Sequence, residues 1–395
     1  MMHPLHLSKM CVVSALGHGT APLLKALRSG ASGLRPCSFE QAKLQTYTGD
    51  IDGVDDVRLD AGLAAFNCRN NRAAELALRQ DGFLAAVDAA RMRYGAERIG
   101  LFLGTSTSGI LEAEHAYQRR GADDAKPLAF HYAETHNTFS LAGFLRVRLG
   151  LRGPSLVVSC ACASTAKAFG NAARMIEAGL CDAAIVGGAD TLCLTTLHGF
   201  ASLALTAPGP CRPSDAGRCG ISIGEAAGFV LVEKDPARGS DVWLLGLGES
   251  NDAYHMSAPH PEGLGARLAI ARALQSAGLE PGAIDYVNLH GTATPAGDEA
   301  EDQAVFASFG DAVPVSSTKG HTGHTLGAAG VIEAIICAMA LRHQFVPGSP
   351  HTETVDPAFR SRYQLAAAPM RLSRVMSNSF GFGGTNCSLV LGAAA

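Results

Sequence analysis

Cys162 is the residue whose type and position most clearly suggest covalent chemistry. Residues 155–159 form an apolar run of strand length, and residues 164–178 carry apolar side chains at helical spacing until Gly179. A thiol at a helix N-terminus lies beside free backbone N–H groups and the positive end of the helix dipole, which favour the thiolate. We therefore predict a lowered thiol pKa and a nucleophilic role. A structural core cysteine and a nucleophile at Cys160 remain alternatives.

Two histidines follow apolar runs and are candidate partners for this thiol. His290 begins the sequence His-Gly-Thr-Ala-Thr-Pro, and His324 ends the sequence His-Thr-Gly-His that starts at His321. Side chains at the ends of strands in α/β proteins often form functional sites. A metal pair of His321 and His324 is the alternative, but no further Cys or His stands nearby in the sequence to complete a metal site. We therefore expect His290 and His324 to partner the thiol.

Glu333 is the only charged residue between positions 325 and 341, in a segment that reads as a helix apolar on every side. Such a helix is buried, and a buried carboxylate is costly unless it is paired. Lys319, the basic residue just before the helix, is the predicted partner. A solvated glutamate at an edge of the helix remains the alternative.

Residues 377–386 contain three glycines and lead into a C-terminal strand. Glycine lets the backbone approach a ligand closely and move, so we predict a binding or gating loop here instead of a strand interior. A tight connection into the C-terminal strand, without a binding role, is the alternative. The segment is not a dinucleotide fingerprint, because no helix is predicted after Gly383.

These residues are predicted to lie on an α/β scaffold in which short apolar strands alternate with helices. The predicted strands are 99–103, 155–159, 183–186, 229–232, 242–245, 286–289 and 387–391, and the predicted helices are 83–93, 164–178, 265–277 and 326–341. A strand followed by Gly-Thr-x-Thr occurs at Gly104 and again at Gly291, which suggests two similar halves. No linker separates the halves, so we expect one continuous core.

The composition of the 395-residue chain excludes several classes of protein. Hydrophobic residues make up 47% and charged residues 17%, which excludes a disordered chain, and 32 Lys and Arg against 36 Asp and Glu leave no basic surplus for nucleic acid. The apolar stretch 325–341 is shorter than the about 20 residues of a membrane span, and the N-terminus lacks a signal-peptide core. The eleven cysteines include no C-x-x-C pair, so we expect reduced thiols in a cytoplasmic protein without disulfides or a metal site.

Six segments of the chain occur in the order that one enzyme family shows. They are Ala161-Cys-Ala-Ser-Thr-Ala, Val186-Gly-Gly-Ala-Asp190, Arg212-Pro-Ser-Asp with Gly224-Glu-Ala-Ala-Gly, His290-Gly-Thr-Ala-Thr-Pro-Ala-Gly-Asp298, Lys319 to Gly330 with Glu333, and Asn378 to Asn386. Together they resemble the β-ketoacyl-[acyl carrier protein] synthases, the elongating condensing enzymes of type I and II. The resemblance covers essentially the whole chain.

The resemblance implies a thiolase-like α/β fold with two duplicated βαβαβαββ halves in a five-layer αβαβα core. Residues 1–240 would carry the nucleophile, and residues 241–395 would carry the two catalytic histidines. In that family Cys162 matches the acyl-accepting nucleophile, and His290 and His324 match the pair that promotes malonyl decarboxylation. Lys319 and Glu333 would form a buried supporting pair.

The resemblance also implies contacts around the thiol. The backbone N–H groups of Cys162 and Phe382 would form the oxyanion hole for the acyl thioester, and Phe382 would act as a gate. Thr292 and Thr294 would contact the phosphopantetheine arm of the carrier protein. The residues implied for the acyl pocket are Thr107 and Phe380.

The implied partners are an acyl carrier protein and a second ketosynthase-like chain. Carrier proteins of this kind are acidic, so Arg69 and Arg72 are candidates for docking, with Arg119 and Arg120 as weaker ones. A merely solvated helix face is an equal alternative for each arginine. The dimer could be a homodimer or a heterodimer with a chain-length-factor-like homologue. No metal or redox cofactor is implied, because the carrier protein brings the phosphopantetheine.

The implied reaction is a decarboxylative Claisen condensation of an acyl-Cys162 intermediate with malonyl carrier protein in fatty acid, polyene or polyketide elongation. Thr107, Ser214, His321 and Cys160 depart from the usual residues of the family, which favours a specialised pathway such as aryl polyene synthesis. The alternatives are a thiolase that acts on acyl-CoA, the catalytic partner of a ketosynthase/chain-length-factor pair, a chain-length partner without activity, and a cysteine hydrolase.

Overall fold

The computed structural model describes residues 1–121, 128–235 and 241–393. The strands are β1 (Leu5–Ser14), β2 (Gly17–His18), β3 (Arg35–Pro36), β4 (Tyr47–Gly49), β5 (Ile99–Gly104), β6 (Ser155–Val158), β7 (Ala183–Asp190), β8 (Ile223–Gly224), β9 (Ala226–Glu233), β10 (Val242–Asn251), β11 (Tyr286–Asn288), β12 (Pro314–Ser316), β13 (Phe345–Val346), β14 (Arg362–Tyr363), β15 (Ala368–Pro369), β16 (Arg374–Gly381) and β17 (Thr385–Ala393). The helices are α1 (Thr20–Ser29), α2 (Arg69–Leu78), α3 (Phe83–Tyr94), α4 (Ile110–Arg120), α5 (Ser140–Leu149), α6 (Ser164–Glu177), α7 (Leu194–Ser202), α8 (Leu264–Ala277), α9 (Pro295–Phe309), α10 (Lys319–Thr322) and α11 (Ala329–His343).

The strand order shows the internal duplication directly. In the first half the strands lie in the order β6-β5-β7-β9-β1, and in the second half in the order β12-β11-β16-β17-β10. Numbered within its own half, each set reads 3-2-4-5-1, and corresponding neighbours share the same parallel or antiparallel pairing. Each half is also a βαβαβαββ unit. The predicted duplication is therefore confirmed.

The two halves share one core. β1 pairs with β10 at Leu5↔Leu244 and His6↔Trp243, which joins the halves into one sheet. Helices α6 and α11 lie between the two halves of that sheet and contribute to its largest hydrophobic cluster. Helices α2, α3 and α5 cover the outer face of the first half, and α8 and α9 cover the outer face of the second. The layers therefore alternate αβαβα.

The central helix α11 is apolar on all sides because strands and helices surround it. Together with the 3-10 turn before it, residues 326–343, it is long and apolar enough to cross a membrane by composition alone. However, 89% of this stretch is buried inside the protein, so its apolar side chains face the core. In the described residues it is the only helix that passes this test.

The predicted division at residue 240 falls within residues 236–240, which lie outside the described part of the chain. All the strands and helices predicted from the sequence are present, but β7 extends four residues and β10 six residues beyond their predicted ends at 186 and 245. β1 was not predicted, because His6, Ser8 and Lys9 interrupt its apolar run. The Gly-rich segment differs from its prediction as well, since β16 runs to Gly381 and only a short turn precedes β17.

Candidate active site

Cys162 lies in an irregular turn between β6 and α6. The helix begins at Ser164, two residues after the thiol, and Ala161 has a φ of 48°, in the left-handed region. This conformation is costly for a residue with a side chain and persists only where the surroundings hold it. Ser164 holds it here, since its hydroxyl donates to the carbonyl of Ala161 at 2.6 Å and accepts from the N–H of Cys160 at 2.9 Å.

Two histidines from the second half reach the thiol. His324 Nε2 lies 2.9 Å from Cys162 Sγ. The rings of His290 and His324 meet edge to face, with 5.3 Å between their centroids. One nitrogen of each histidine and the sulfur all lie within 4.8 Å of one another. The structure therefore brings together the three side chains that the sequence pointed to, although they are far apart in the chain.

The thiol is held in its protonated form. Burial raises the pKa of Cys162 to about 12, although the charge of Lys319 and the backbone N–H of Phe382 both act to lower it. The predicted lowering of the thiol pKa by the helix is therefore wrong, because Cys162 is only 7% exposed and its thiol loses its hydration. The nucleophile needs a base within reach, and the nearest base is His324 Nε2.

Both histidines are held neutral. Burial, and then the charge of Lys319, lower the pKa of His324 and of His290 well below the ordinary value of histidine. Lys319 Nζ lies 3.4 Å from His290 Nδ1. An ammonium group has only hydrogens to offer, so Nδ1 accepts and the ring proton of His290 resides on Nε2. His290 thus presents an N–H donor on its other edge.

Lys319 and Glu333 form a buried ion pair through Lys319 Nζ and Glu333 Oε1. Their residues are 1% and 3% exposed, so Glu333 is not a solvated residue at the edge of α11. Burial raises the pKa of the Glu333 carboxyl to about 7, while Lys319 acts to lower it. Because the ammonium contacts both Glu333 and His290, the pair connects the central helix to the site.

Glu301 on α9 supports His290 and was not found from the sequence. Its carboxylate accepts the backbone N–H of His290 at 2.8 Å and that of Gly291 at 2.7 Å. Burial raises the pKa of Glu301 to about 7, against these two donors. The only signal in the sequence was its position one helical turn after Asp298, in the helix that follows the His-Gly-Thr segment.

A cavity of about 500 Å³ opens beside the thiol. Phe382 forms part of its wall, with its backbone N–H directed at Cys162 Sγ and its ring 5.6 Å from that of Phe200. Gly381 packs closely here, because a Cβ at that position would lie only 3.1 Å from the nitrogen of Cys162. The predicted site residues that line the cavity are Cys162, His290, Thr292, Thr294, His324, Phe380 and Phe382.

The sulfur and the two imidazole nitrogens are atom types that can hold a transition metal. The ammonium of Lys319, 3.4 Å from His290 Nδ1, opposes a second cation there. His321 does not join the group, because its Nδ1 bonds to the carbonyl of Ala31 at 2.6 Å. The arrangement is better suited to nucleophilic and hydrogen-bonding chemistry.

Two family models match the chain in order. The one described as "Beta-ketoacyl synthase, N-terminal domain" matches residues 10–237, and the one described as "Beta-ketoacyl synthase, C-terminal domain" matches residues 243–353. The chain belongs to the β-ketoacyl synthase family. This confirms the resemblance of its motifs.

Individual ketosynthase relatives match over nearly the whole chain. The 3-oxoacyl-[acyl-carrier-protein] synthase 2 of Coxiella burnetii is 32% identical over 96% of both chains, and that of Vibrio cholerae is 33% identical over 96% of this chain and 97% of its own. One solved structure is the complex of the ketosynthase ApeO with its chain length factor ApeC from Xenorhabdus doucetiae. A chain of that complex is 39% identical to this chain, with a TM-score of 0.91, and the match covers 99% of this chain and 98% of that chain. A β-ketoacyl synthase from Burkholderia phymatum is 28% identical, with a TM-score of 0.87 over all of both chains. The predicted thiolase-like fold is confirmed.

Thr107, which the family resemblance implies for the acyl pocket, is buried against Asp190 in this ketosynthase. It is 1% exposed, and its hydroxyl donates to Asp190 Oδ1 at 2.8 Å. It is not part of the described wall of the cavity beside Cys162. Its hydroxyl is therefore engaged inside the fold, and a contact of Thr107 with the acyl chain stays a prediction.

The arginines expected to dock the carrier protein are also engaged. Arg69 is 6% exposed and binds Glu225 through Nε at 2.6 Å and Nη2 at 2.8 Å, so it cannot serve as a docking residue. Arg72 reaches the surface but pairs with Asp55 at 3.1 Å. Arg119 and Arg120 lie at the end of α4. The sequence could not show that the first turn of α2 points into the fold.

We predict that Arg69→Met destabilises the ketosynthase and does not weaken carrier binding. Glu225 is fully buried, and without Arg69 its carboxylate loses its buried charged partner, which costs about 3–5 kcal/mol. Urea unfolding measures the loss, with Arg72→Met as the control that should change stability little. A stable Arg69→Met variant with a raised KM for the carrier protein would contradict the buried-pair interpretation.

Proposed function

We propose that this ketosynthase catalyses the decarboxylative Claisen condensation of an acyl-Cys162 intermediate with malonyl carrier protein. The observation that carries the proposal is the contact of Cys162 Sγ with His324 Nε2 at 2.9 Å, beside His290 and within the cavity beneath Phe382. A thiol, a base and a hydrogen-bond donor at one point are what acyl transfer and enolate formation require.

In the first step the acyl group moves from a carrier-protein thioester to Cys162. His324 Nε2 takes the thiol proton as the sulfur attacks the acyl carbonyl, because the raised thiol pKa leaves little thiolate beforehand. The N–H groups of Phe382 and Cys162 stabilise the oxyanion. The tetrahedral intermediate expels the phosphopantetheine thiolate, which takes the proton from His324.

In the second step malonyl carrier protein loses carbon dioxide. The electron pair of the breaking C–C bond forms an enolate, whose oxygen accepts the N–H of His290 Nε2. The enolate carbon then attacks the acyl-Cys162 carbonyl, the thiolate of Cys162 leaves, and it takes from solvent water the one proton that the decarboxylative condensation consumes. Lys319 fixes the tautomer of His290 that this step needs, since it donates to Nδ1 at 3.4 Å. Thr292 and Thr294, with hydroxyls 3.0 Å apart in the cavity wall, contact the phosphopantetheine arm.

The acyl substrate is assigned to a polyene or polyketide pathway. The support is the similarity to the ketosynthase/chain-length-factor complex at 39% identity, together with the unusual residues Ser214, His321 and Cys160. Phe380 lines the cavity 6.1 Å from His290 and is proposed to contact the acyl chain. No metal or redox cofactor takes part, and the protein works in the cytoplasm.

The partner is a second ketosynthase-like chain that docks at the free edge of β6. This edge strand ends the sheet in the described residues, and Leu156 on it is 40% exposed. Relatives occur as ketosynthase/chain-length-factor complexes, which favours a heterodimer with a homologue over a homodimer. Gel filtration of the chain alone and co-expressed with a homologue distinguishes the two.

The function is tested with purified protein, acyl carrier proteins and carboxyl-labelled malonyl carrier protein. We expect release of labelled carbon dioxide together with a 3-oxoacyl carrier protein one ketide unit longer, and faster elongation of unsaturated or aromatic acyl chains than of saturated ones. Loading of Cys162 from acyl-CoA in preference to acyl carrier protein would indicate a thiolase. Thioester hydrolysis without elongation would contradict the proposal.

A further inference from the structure

The contact between Cys162 and His324 spans the boundary between the two halves of the ketosynthase. Each residue stands shortly before a helix, Cys162 before α6 and His324 before the 3-10 turn that leads into α11. Both segments contain a residue with positive φ, Ala161 at 48° and Leu326 at 51°. Such irregular segments do not fix their own separation, so other contacts must set the 2.9 Å distance.

Thr165 joins the two helix starts. Its hydroxyl donates to the carbonyl of Gly327 at 2.7 Å and accepts the N–H of Val331 at 3.0 Å. Thr165 is three residues after Cys162, and Gly327 is three residues after His324. The backbones are in direct contact nearby, since a Cβ on Gly330 would lie 2.5 Å from the nitrogen of Ala166. The fully buried hydroxyl of Thr165 thus connects the segment that follows Cys162 to the segment that follows His324.

Asp190 also holds the turn that contains Gly327, through a hydrogen bond to the backbone of that residue. Its carboxylate, at the end of β7 and fully buried, accepts the N–H of Gly327 at 2.6 Å. The same carboxylate accepts the N–H of Ser106 at 2.8 Å and the hydroxyl of Thr107 at 2.8 Å, from the turn that follows β5. A buried carboxylate with several donors around it is rigid, because moving it would break several charge-assisted hydrogen bonds together.

We propose that Thr165 and Asp190 are positioning residues that set the distance and alignment between Cys162 Sγ and His324 Nε2. They touch neither substrate nor the reacting atoms, and they act by fixing Gly327, three residues after His324, against the first half of the fold. The inference rests on the proposed function, in which His324 takes the thiol proton during acyl transfer. It also explains why the hydroxyl of Thr107 faces Asp190.

The test separates acyl transfer from decarboxylation. Thr165→Val keeps the shape of the side chain and removes both hydrogen bonds, and Asp190→Asn keeps the size and removes the charge. We expect each variant to load Cys162 from acyl carrier protein about 10- to 100-fold more slowly, which is the range expected for a misplaced catalytic contact. Thr165→Ser, which retains the hydroxyl, should restore most of the rate.

Decarboxylation provides the second measurement. In a Cys162→Ala background, Thr165→Val should leave malonyl decarboxylation within about threefold of its parent, because the proposed second step uses the N–H of His290, which does not lie in the segment that Thr165 holds. The control is Thr352→Val, which removes a buried 2.6 Å hydrogen bond to the carbonyl of Pro213 outside these segments. In Thr352→Val, Cys162 should be acylated at the parental rate. This should hold even if the variant's melting temperature is lowered as much as that of Thr165→Val.

The outcomes are distinguishable. Loading of Thr165→Val and Asp190→Asn at the parental rate would overturn the positioning role, and so would an equal loss of decarboxylation and loading in Thr165→Val. If Asp190→Asn fails to fold, Thr165→Val and Thr165→Ser decide the matter alone. If the parent protein itself never loads Cys162, the proposed function fails, and not only this inference.

Discussion

Cys162→Ala is expected to abolish condensation, with a loss of at least about 10³-fold, while decarboxylation of malonyl carrier protein continues. Cys219 also lines the described cavity, but His324 Nε2 lies against Cys162, so we expect no acyl-enzyme to form without the Cys162 thiol. His290 and His324 remain in place, and the N–H of His290 still faces the malonyl thioester. Mass spectrometry of the protein after exposure to acyl carrier protein measures loading, and carbon dioxide release measures decarboxylation.

Two other cysteines serve as controls for this variant. Cys160 is two residues before the nucleophile, and Cys219 is exposed at the cavity. Cys160→Ala and Cys219→Ala should each retain loading and condensation, because neither thiol contacts His324. Unchanged condensation in Cys162→Ala would refute the assignment of the nucleophile, and loss of loading in Cys160→Ala alone would transfer the role to that residue.

Glu333→Leu is expected to destabilise the ketosynthase by about 3–5 kcal/mol and to lower decarboxylation strongly. The variant leaves Lys319, which is 1% exposed, in the core without its carboxylate, so its side chain must move or draw water into the fold. In either case its hydrogen bond to His290 Nδ1 is disturbed, and with it the tautomer that presents Nε2–H. Urea unfolding and carbon dioxide release measure the two effects.

The double variant Lys319→Met/Glu333→Leu separates stability from activity. With both charges gone, apolar side chains of similar volume fill the site, and most of the lost stability should return. Decarboxylation should not return, because His290 no longer has a donor at Nδ1. Recovery of activity together with stability would show that the pair is only structural. The control Arg174→Met removes the exposed pair with Glu249 and should change neither quantity.

The sequence led to the reacting groups because each one interrupts a pattern. Cys162 stands at the change from strand to helix, His290 and His324 follow apolar runs, and Glu333 is the single charge in an apolar helix. These segments are buried, and a polar or charged side chain is costly in a buried segment. Such a residue is therefore expected to take part in catalysis or to be paired with another polar group. The same logic does not find Glu301, because its helix is not apolar on every side and a glutamate there is unremarkable.

Properties that depend on what surrounds a side chain were predicted poorly. The helix start favours a lowered thiol pKa, but burial in the folded chain outweighs it and raises the pKa of Cys162. Arg69 reads as a surface cation, but α2 turns it towards Glu225, 156 residues away in the chain. Each error concerns a partner distant in sequence.

The sequence by itself determined the family, the duplicated α/β scaffold and the candidates for the reacting groups, because these follow from local patterns of apolar, glycine and polar residues. Only the tertiary structure decided the protonation of the site, the inward use of Arg69 and the contact of Cys162 with His324. The physical reason is that desolvation and hydrogen bonding depend on distances between segments of different halves. Those distances arise when Thr165 and Asp190 bring the two helix starts together.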